Sequence, residues 1–451
     1  MFDQKRKQIL ELVSEYYEEK RSKDTWKPGT DWVSYSGLNY DKDEILAAVK
    51  VILDDFSNDW VIFGKNNKLF EMQFPKYLGK KRGILTNSGS SANLLAVSCL
   101  KSKNTFSLKE GDKFITPVVC FPTTINPIIQ NGFKPVFVDV ELPNLNLNLD
   151  QVEQKLKEDP DIRGIMFAHV LGNPPDMERL MNLVEKYDLI FIEDACDALG
   201  STYNNKKLGS YGHISTCSFF PAHHMSMAEG GFVATNSGKI RKSLASFRDW
   251  GRACYCNDIK PGCVIDGTAC GNRFKAWFDK MPEAIYDHRY VFDEIGYNLK
   301  PLDLQGAMGL EQLKKLPAMD SARRENFTKL KNIFLKYEKH FHLPYATKNS
   351  DPCWFGFLLT LKKDCVFDKQ EFVNHLEKNK IQTRSYFTGN ALAHPAYEKL
   401  SADYDDITKS FPVASYVTGN TFFLGTYIGI TDEKIEYIQK VVDSFFKEQK
   451  L

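Results

Sequence analysis

The chain has 451 residues, a length that corresponds to about two to three domains. Hydrophobic residues make up 43% and charged residues 26%, an ordinary globular composition that excludes a disordered chain or a small disulfide scaffold. Because 59 Lys and Arg residues oppose 58 Asp and Glu residues, the formal net charge is +1, and we expect no nucleic-acid partner and no membrane partner.

The N-terminal residues predict a helix rather than a targeting segment. Residues 1–30 form a charged amphipathic pattern that ends at Pro28-Gly29, and residues 41–56 predict a second helix. The segment lacks the apolar core of a signal peptide, and no apolar run approaches the ~20 residues of a membrane span. We therefore predict a cytoplasmic protein, in which clustered cysteines are more typical of metal binding or catalysis than of disulfides.

The middle of the chain alternates short apolar runs with helical segments. This alternation predicts a mostly parallel α/β sheet, whose active site would lie at the carboxyl ends of the strands. The predicted strands are GILTNS (83–88), KFITPVV (113–119), KPVFVDV (134–140), RGIMFAHV (163–170), LIFIEDA (189–195), ISTCSFF (214–220) and GGFVAT (230–235).

The remaining part of the chain has a different pattern. Residues 240–300 are rich in Cys, Gly, Asp and aromatic residues and lack a clear period, which is typical of a functional loop. Residues 302–316 and 320–341 predict helices, and a smaller α/β pattern follows them to the end. The predicted domains are residues 1–300, which include the cysteine-rich segment 250–275, and residues 301–451, which comprise the linking helices and a small C-terminal domain.

Three segments at predicted strand ends carry side chains that suit a binding site. The turn at residues 86–93 (TNSGSSAN) offers N–H groups and hydroxyls to a phosphate, although a serine-rich helix cap is an equal alternative. Asp194 ends an apolar strand and could lie beside a cation, although an ordinary strand-end acid is the simpler interpretation. The adjacent His223 and His224 suggest a site, a packed loop pair or half of a metal site.

Taken together, in this order and spacing, these segments resemble the sugar-nucleotide aminotransferase family of the fold-type I pyridoxal-phosphate (PLP) superfamily. Two further segments support the resemblance. Phe121 stands in a segment like P-x-x-x-[FW]-x-x-T, and residues 296–313 match GYNxR-x-x-x-x-Q-A-A-x-G-x-x-Q-L. The resemblance implies an α/β, fold-type I aminotransferase-like fold, in which a large domain with a mostly parallel central sheet precedes a smaller C-terminal α/β domain.

The resemblance also implies how a cofactor is held. Family members place a Gln or His where this chain has Asp197. The residues that the resemblance assigns to the cofactor are Gly89, Ser90, Ser91 and Ser218 at the phosphate, Phe121 on the ring face, Asp194 at the pyridine nitrogen, Asp197 near the ring hydroxyl, His169 beside the ring, and Asn298 across the interface of a homodimer. For His169, simple packing in the protein interior is an equal alternative to a place beside the ring.

One departure from the family pattern bears on the reaction. The family has S-F-x-x-x-K, whose Lys binds PLP covalently, but here Ser218 is followed by His223 at the Lys position, and no Lys lies between Lys207 and Lys239. An imidazole moves protons near neutral pH but does not hold PLP covalently. We therefore expect non-covalent pyridoxamine phosphate (PMP), with His223 as the base at its methylene carbon. This exchange resembles the 4-keto-6-deoxysugar 3-dehydrases that act on CDP-linked sugars.

The cysteines suggest a second cofactor. From spacing alone, thiolates of two loops suit a [2Fe-2S] cluster or a Zn site, or they are unconnected buried thiols. The iron–sulfur 3-dehydrases carry a Cys after the same strand and a C-x-C 58 residues later, which matches Cys196, Cys254 and Cys256. By its sequence context Cys270 resembles the fourth ligand, and Cys263 is the alternative.

The resemblance implies removal of the C3 hydroxyl from a nucleotide-linked 4-keto-6-deoxyhexose, with CDP favoured, on the path to 3,6-dideoxyhexoses of lipopolysaccharide. Electrons would come from an NAD(P)H-dependent flavin or iron–sulfur reductase, because the chain shows no G-x-G-x-x-G turn after a strand. His224 and Arg384 are the candidate substrate contacts, a surface ion pair being the alternative for Arg384.

Two other functions stay open from the sequence. One is a cluster-independent, PMP-dependent 3-dehydratase of the same fold that uses glutamate. The other is a non-catalytic homologue that binds sugar nucleotides. A plain aminotransferase fits least well, because the lysine is absent from its family position.

Overall fold

The computed structural model describes residues 2–23, 25–54, 64–254 and 274–450. Its helices are α1 (Phe2–Ser22), α2 (Lys42–Asp54), α3 (Lys65–Leu78), α4 (Gly89–Ser98), α5 (Pro122–Gln130), α6 (Leu149–Glu158), α7 (Met177–Lys186), α8 (Gly238–Arg248), α9 (Asp303–Leu335), α10 (Lys369–Lys378), α11 (Glu398–Ser401), α12 (Ile407–Ser410), α13 (Pro412–Asn420) and α14 (Asp432–Glu448). Its strands are β1 (Arg82–Thr86), β2 (Lys113–Pro117), β3 (Lys134–Val138), β4 (Val140–Glu141), β5 (Asn146–Leu147), β6 (Ile162–Ala168), β7 (Ile190–Asp194), β8 (Thr202–Tyr203), β9 (Lys206–Lys207), β10 (Ile214–Ser218), β11 (Gly231–Thr235), β12 (Phe274–Ala276), β13 (Ile285–Asp287), β14 (Phe341–His342), β15 (Ser350–Asp351), β16 (Gly356–Leu361), β17 (Arg384–Ser385) and β18 (Thr421–Gly425).

The large domain is built on a seven-stranded sheet with the order β1-β11-β10-β7-β6-β2-β3. The pairs from β10 to β3 are parallel, and β11 is antiparallel to both of its neighbours. Every predicted strand of residues 83–235 is present within two residues of its predicted bounds. The predicted mostly parallel α/β sheet is therefore confirmed.

Alternate residues of each strand pack on opposite faces of this sheet. On β7, Phe191 lies in one hydrophobic core with α3, α6 and α7, whereas Ile192 lies in a second core with α4, α5 and α8. Strands that are buried on both faces need apolar residues at successive positions. This explains why continuous apolar runs, rather than alternating ones, predicted the strands.

Helix α9 connects the large domain to the small one. Leu316 packs in the large-domain core, while Phe327 and Phe334 pack in a separate core beneath the antiparallel sheet β14-β16-β18-β17. Val33 also packs in that separate core and pairs with Ile381. The N-terminal segment therefore contacts the C-terminal sheet.

Two predicted features differ in the structure. Residues 238–248 form helix α8 rather than irregular chain, because Ile240, Leu244 and Phe247 share one helical face and bury it. The two helices predicted at 302–316 and 320–341 are one helix, which continues through Pro317. Burial of the flanking apolar residues compensates for the hydrogen bond that proline removes. Among the described helices, none has the length and apolar character needed to cross a bilayer.

Candidate active site

The sequence-predicted site residues of the large domain meet at one edge of the central sheet. Asp194 ends β7 and Ser218 ends β10, and Gly89 begins the helix that follows β1. His169 follows β6, and its backbone N–H donates to the carbonyl of Asp194 at 3.3 Å. Phe121 follows β2 as the residue before α5. The carboxyl ends of parallel strands form the usual ligand-binding edge of such a sheet.

Asp194 is a buried carboxylate with both oxygens hydrogen-bonded. Its Oδ2 accepts from Asn93 Nδ2 at 2.8 Å and from Thr124 Oγ1 at 3.0 Å, and its Oδ1 accepts from the backbone N–H of Cys196 at 3.1 Å. Asn93 is itself fixed, because its Oδ1 accepts from Thr216 Oγ1 at 2.6 Å. A fixed carboxylate in this place is the chemical partner that a protonated pyridine nitrogen requires.

The start of α4 provides the donors that suit a phosphate. Ser88 caps the helix, its Oγ accepting from the backbone N–H of Ser91 at 3.1 Å. Gly89 lies directly against Ser218, since a Cβ at Gly89 would stand 2.6 Å from Ser218 Oγ. The start of the helix and the Ser218 hydroxyl therefore lie together, with Ser90 exposed at the same place, while the N–H of Ser91 is already bound by Ser88. This donor set fits the phosphate of PLP or PMP.

Phe121 has the exposure that a ring-stacking residue requires. It is 49% exposed, and Phe387 packs edge-on against it with ring centroids 5.7 Å apart. Thr124, one turn further along α5, is bound to Asp194 at 3.0 Å. The aromatic ring and the carboxylate are therefore held by the same short helix.

His223 lies beside Asp197. His223 Nδ1 is 3.4 Å from Asp197 Oδ1, an ion-pair distance that is longer than an aligned hydrogen bond, and the two side chains are 16% and 8% exposed. Burial raises the pKa of Asp197, and the contact with His223 partly offsets this effect. A carboxylate at Nδ1 favours the tautomer in which Nε2 carries the basic lone pair. The arrangement can orient His223 as a proton acceptor.

His169 is fully buried against a second carboxylate. Its Nε2 lies 3.1 Å from Glu193 Oε1, and Glu193 also accepts from the backbone N–H groups of Tyr211 and Gly212, each at 2.8 Å. Burial alone would raise the pKa of Glu193, but the His169 contact, the Lys80 charge and these donors lower it overall. The ring nitrogen of His169 thus stabilises a buried anion behind the strand end.

The other candidate residues lie around this centre. His224 is buried, its Nε2 is 2.8 Å from the carbonyl oxygen of Cys353, and burial lowers its pKa well below the ordinary value. Arg384 lies on β17 of the small domain, its guanidinium 4.2 Å from the ring centre of Tyr35. Asn298 is exposed, next to Leu299, whose carbonyl accepts from the backbone N–H of residue 87 at 2.9 Å.

The predicted cluster ligands are only partly within the described chain. Cys196 lies beside Asp194, and burial raises its pKa well above the ordinary thiol value. Cys254 ends the described segment after α8. Cys256 and Cys270, with the alternative Cys263, lie outside the described residues. Within the described ranges, no group of three or more His, Cys, Asp or Glu side chains forms a metal site.

Sequence reasoning assigned no role to several residues that the structure places in this site. Asn93 and Thr124 fix Asp194, and both stand in segments already singled out, so their positions carried an available signal. Arg323 donates to the backbone carbonyl of His223 at 3.1 Å, and Phe355 packs against the His223 ring at 5.4 Å. Nothing in the local sequence links these two residues to His223.

Comparison with known proteins agrees with this geometry. The model of the DegT/DnrJ/EryC1/StrS aminotransferase family matches residues 39–443. The chain belongs to this family. The predicted fold-type I aminotransferase-like fold is thereby confirmed.

Relatives of this family member include proteins of sugar metabolism. The chain is 40% identical over 443 residues to the lipopolysaccharide biosynthesis protein RfbH of Salmonella typhimurium, covering 98% of each. It is 41% identical over 439 residues to the dTDP-4-dehydro-2,6-dideoxy-D-glucose 3-dehydratase of Saccharopolyspora spinosa, covering 97% of this chain and 91% of that protein. A crystal structure of GDP-4-keto-6-deoxymannose-3-dehydratase with a trapped PLP-glutamate geminal diamine superposes with a TM-score of 0.76 at 30% identity, covering 90% of this chain and 99% of that one.

Proposed function

We propose that this chain is a PMP-dependent 3-dehydratase of a nucleotide-linked 4-keto-6-deoxyhexose. The observation that carries the proposal is His223, which replaces the family lysine yet lies 3.4 Å from Asp197, at the edge of the sheet that also carries the candidate cofactor-binding residues Asp194 and Ser218. A site that had merely lost its function would not need to retain Asp194, with its three donors, or the phosphate-binding turn. Two relatives named as sugar 3-dehydratases support the same reaction class.

Each group has one task in this reaction. Ser218 and the start of α4 bind the phosphate, Phe121 covers one ring face and Asp194 holds the pyridine nitrogen protonated. When bound, PMP supplies an amine that condenses with a ketone and a ring that accepts electrons. His223 takes a proton from the C4′ carbon of PMP, and Asp197 orients the imidazole and stabilises its charged form.

We further propose that Cys196, Cys254, Cys256 and Cys270 bind a [2Fe-2S] cluster. Replacement of a C3 hydroxyl by hydrogen requires two electrons; in this version an external reductase would supply them and the cluster would pass them on one at a time. The short contact between Asp194 and the backbone of Cys196 supports a cluster close to the cofactor.

A second candidate is the cluster-independent dehydratase that uses glutamate. It is favoured by the similar crystal structure of GDP-4-keto-6-deoxymannose-3-dehydratase, which holds a trapped PLP-glutamate geminal diamine. This version needs no separate reductase, because glutamate supplies the two electrons. Glutamate gives its amino group to the cofactor and leaves as 2-oxoglutarate, the C3 hydroxyl of the sugar is replaced by hydrogen, and the nitrogen leaves as ammonia. The two candidates therefore differ in their requirement for iron and in whether a reductase or glutamate supplies the electrons.

Three side chains are candidates for contacts with the substrate or with a second copy of the chain. We propose a CDP-linked sugar that leads to a 3,6-dideoxyhexose of lipopolysaccharide, with Arg384 near the diphosphate, since a guanidinium suits two phosphate oxygens. Asn298 would complete the site of a second copy in a homodimer, and its exposure is compatible with that role. His224 stays a candidate substrate contact, although Cys353 occupies one of its ring nitrogens.

One experiment separates these possibilities. Protein purified without oxygen is analysed for iron and sulfide, loaded with PMP, and given CDP-, GDP- and dTDP-4-keto-6-deoxyhexoses with either a reductase or glutamate, and the sugar products are identified by mass spectrometry. About two irons and two sulfides per chain, lost in Cys254→Ser, with reductase-dependent turnover support the cluster. Turnover with glutamate alone supports the second candidate. A 4-amino sugar as product, or failure to bind PMP, contradicts the proposed function.

A further inference from the structure

Arg323, in the middle of α9, places a buried guanidinium between the loop of His223 and the start of the small-domain sheet. Only 3% of the residue is exposed. Its Nη2 donates to the carbonyl oxygens of His223 at 3.1 Å and Ala222 at 3.5 Å. Its Nη1 donates to those of Phe355 at 3.1 Å and Trp354 at 3.4 Å. One side chain therefore binds both segments at once.

The chemistry of these contacts depends on the shape of the guanidinium. All four acceptors are backbone carbonyls, so the residue links two pieces of main chain. A guanidinium presents its donors in a fixed planar fork, whereas the donors of a lysine sit on a single nitrogen. Removing a cation from water is unfavourable. A hydrophobic side chain at this position would avoid the cost of desolvation but would donate no hydrogen bonds to the four carbonyl groups. The planar arrangement of donors is therefore the property that suits arginine to this position.

The contacts continue on the far side of Arg323. The carbonyl of Trp354 also accepts from Thr426 Oγ1 at 2.6 Å, and Thr426 directly follows β18. Strand β18 pairs with β17, which carries Arg384. On the near side, the ring of Phe355 lies 5.4 Å from the ring of His223. A continuous series of contacts thus connects the strand of Arg384 with the histidine.

We infer that Arg323 is a positioning residue, which fixes the backbone of His223 relative to the small domain and so keeps the imidazole beside Asp197. The inference rests on the proposed function, in which His223 moves the proton. Arg323 acts through the main chain of His223 rather than on the cofactor or the sugar. A substrate that binds at Arg384 stabilises the same placement of the small domain, and binding and proton transfer are thereby coupled.

The test compares Arg323→Gln with Arg324→Gln in the full-length protein. Arg324 is a matched control because it is the next residue of the same helix and is partly buried. Its guanidinium donates to the carbonyl of Gly200 at 3.0 Å and to Asp351 Oδ1 at 3.0 Å. The contacts of Arg324 therefore join α9 to Gly200 and Asp351, and not to the loop that contains His223.

The first measurement is independent of activity. Diethyl pyrocarbonate modifies accessible imidazoles, and its rate at His223 is followed by peptide mass spectrometry in cofactor-free protein. We expect about fivefold faster modification in Arg323→Gln and less than about a twofold change in Arg324→Gln, since only the first loses hydrogen bonds to this loop. Equal rates in wild type and Arg323→Gln would overturn the inference.

The second measurement separates positioning from general destabilisation. In PMP-loaded Arg323→Gln we expect kcat to fall about tenfold, with KM and PMP affinity within about twofold of wild type. The same loss in Arg324→Gln, or unchanged kcat in Arg323→Gln, would contradict the inference. Arg323→Lys, which keeps the charge but loses the fork, gives the same test if the Gln variant does not fold. Wild-type protein without any turnover would refute the proposed function, while the modification rates would still decide the role of Arg323.

Discussion

His223 Nδ1 lies 3.4 Å from Asp197 Oδ1, three residues beyond the carboxylate of Asp194. Asp194 is bound by three donors from its surroundings, whereas Asp197 faces the imidazole. Two carboxylates at the end of one strand therefore have different partners. The first is suited to hold a cofactor ring, and the second is suited to orient a base.

Asp197→Asn removes the negative charge beside His223 at nearly constant volume. We expect kcat to fall about 10- to 100-fold, an increase of about 1.4–2.8 kcal/mol in the barrier, because the negative charge that orients the imidazole and stabilises its protonated form is lost. Steady-state kinetics of the PMP-loaded proteins measure kcat. A kcat of the variant within about twofold of wild type would refute the role of Asp197.

Asp194→Ala removes the proposed partner of the pyridine nitrogen. We expect PMP to bind about 10- to 100-fold more weakly, the factor that corresponds to losing one hydrogen bond to a charged group. Fluorescence titration with PMP measures the affinity. Asp405→Ala, at an exposed position of the small domain, is the control and should bind PMP like wild type. Equal affinity in Asp194→Ala would place the cofactor elsewhere.

Glu193→Gln tests the buried anion behind the site. The pKa of Glu193 lies below its ordinary 4.5, so the carboxylate stabilises the fold above that pH and loses this contribution as the pH falls through the folded-state value. We expect the substitution to lower the free energy of unfolding by about 3 kcal/mol at pH 7. The difference in free energy between wild type and variant should become smaller below pH about 4.5. Thermal unfolding of both proteins between pH 7 and acidic pH measures this difference, with the exposed Glu185→Gln as the control. A difference that grows on acidification would contradict a stabilising Glu193 carboxylate.

Gly251→Ala tests the turn that leads from α8 to Cys254. Gly251 has φ +83°, and an added Cβ would overlap the carbonyl oxygen of Glu294. We expect a loss of about 2–4 kcal/mol in stability, which combines left-handed strain with overpacking. Gly111→Ala has φ +93° but open space around its Cβ, so it should cost only about 1–2 kcal/mol. Equal losses in chemical denaturation would show that the close contact has no effect.

The sheet could be predicted from the sequence because its strands are buried on both faces. Each appears as a short apolar run such as residues 189–195, independent of tertiary detail. Helix α8 could not be recognised in the same way, because the cysteines and aromatic residues that follow Arg248 obscured its boundary. The continuity of α9 across Pro317 depends on packing that a local pattern does not contain.

The site could be predicted to the extent that its residues stand directly at strand ends. Asp194 can be singled out because it ends an apolar strand, and Phe121 and Ser218 can be singled out because their segments resemble those of the aminotransferase family. Arg323 lies 100 residues from His223, and its partners are backbone carbonyls of two separate segments. The residues that neighbour Arg323 in the sequence do not indicate this contact, so only the three-dimensional structure reveals it.

The central claim is that His223 moves the proton in a site that binds PMP through other groups. The most direct measurement is the His223→Asn variant, assayed for PMP affinity by titration and for 3-deoxygenated product by mass spectrometry. We predict PMP affinity within about threefold of wild type and turnover reduced at least about 100-fold, as expected for loss of a general base. Turnover close to wild type, or loss of PMP binding together with turnover, would contradict the account.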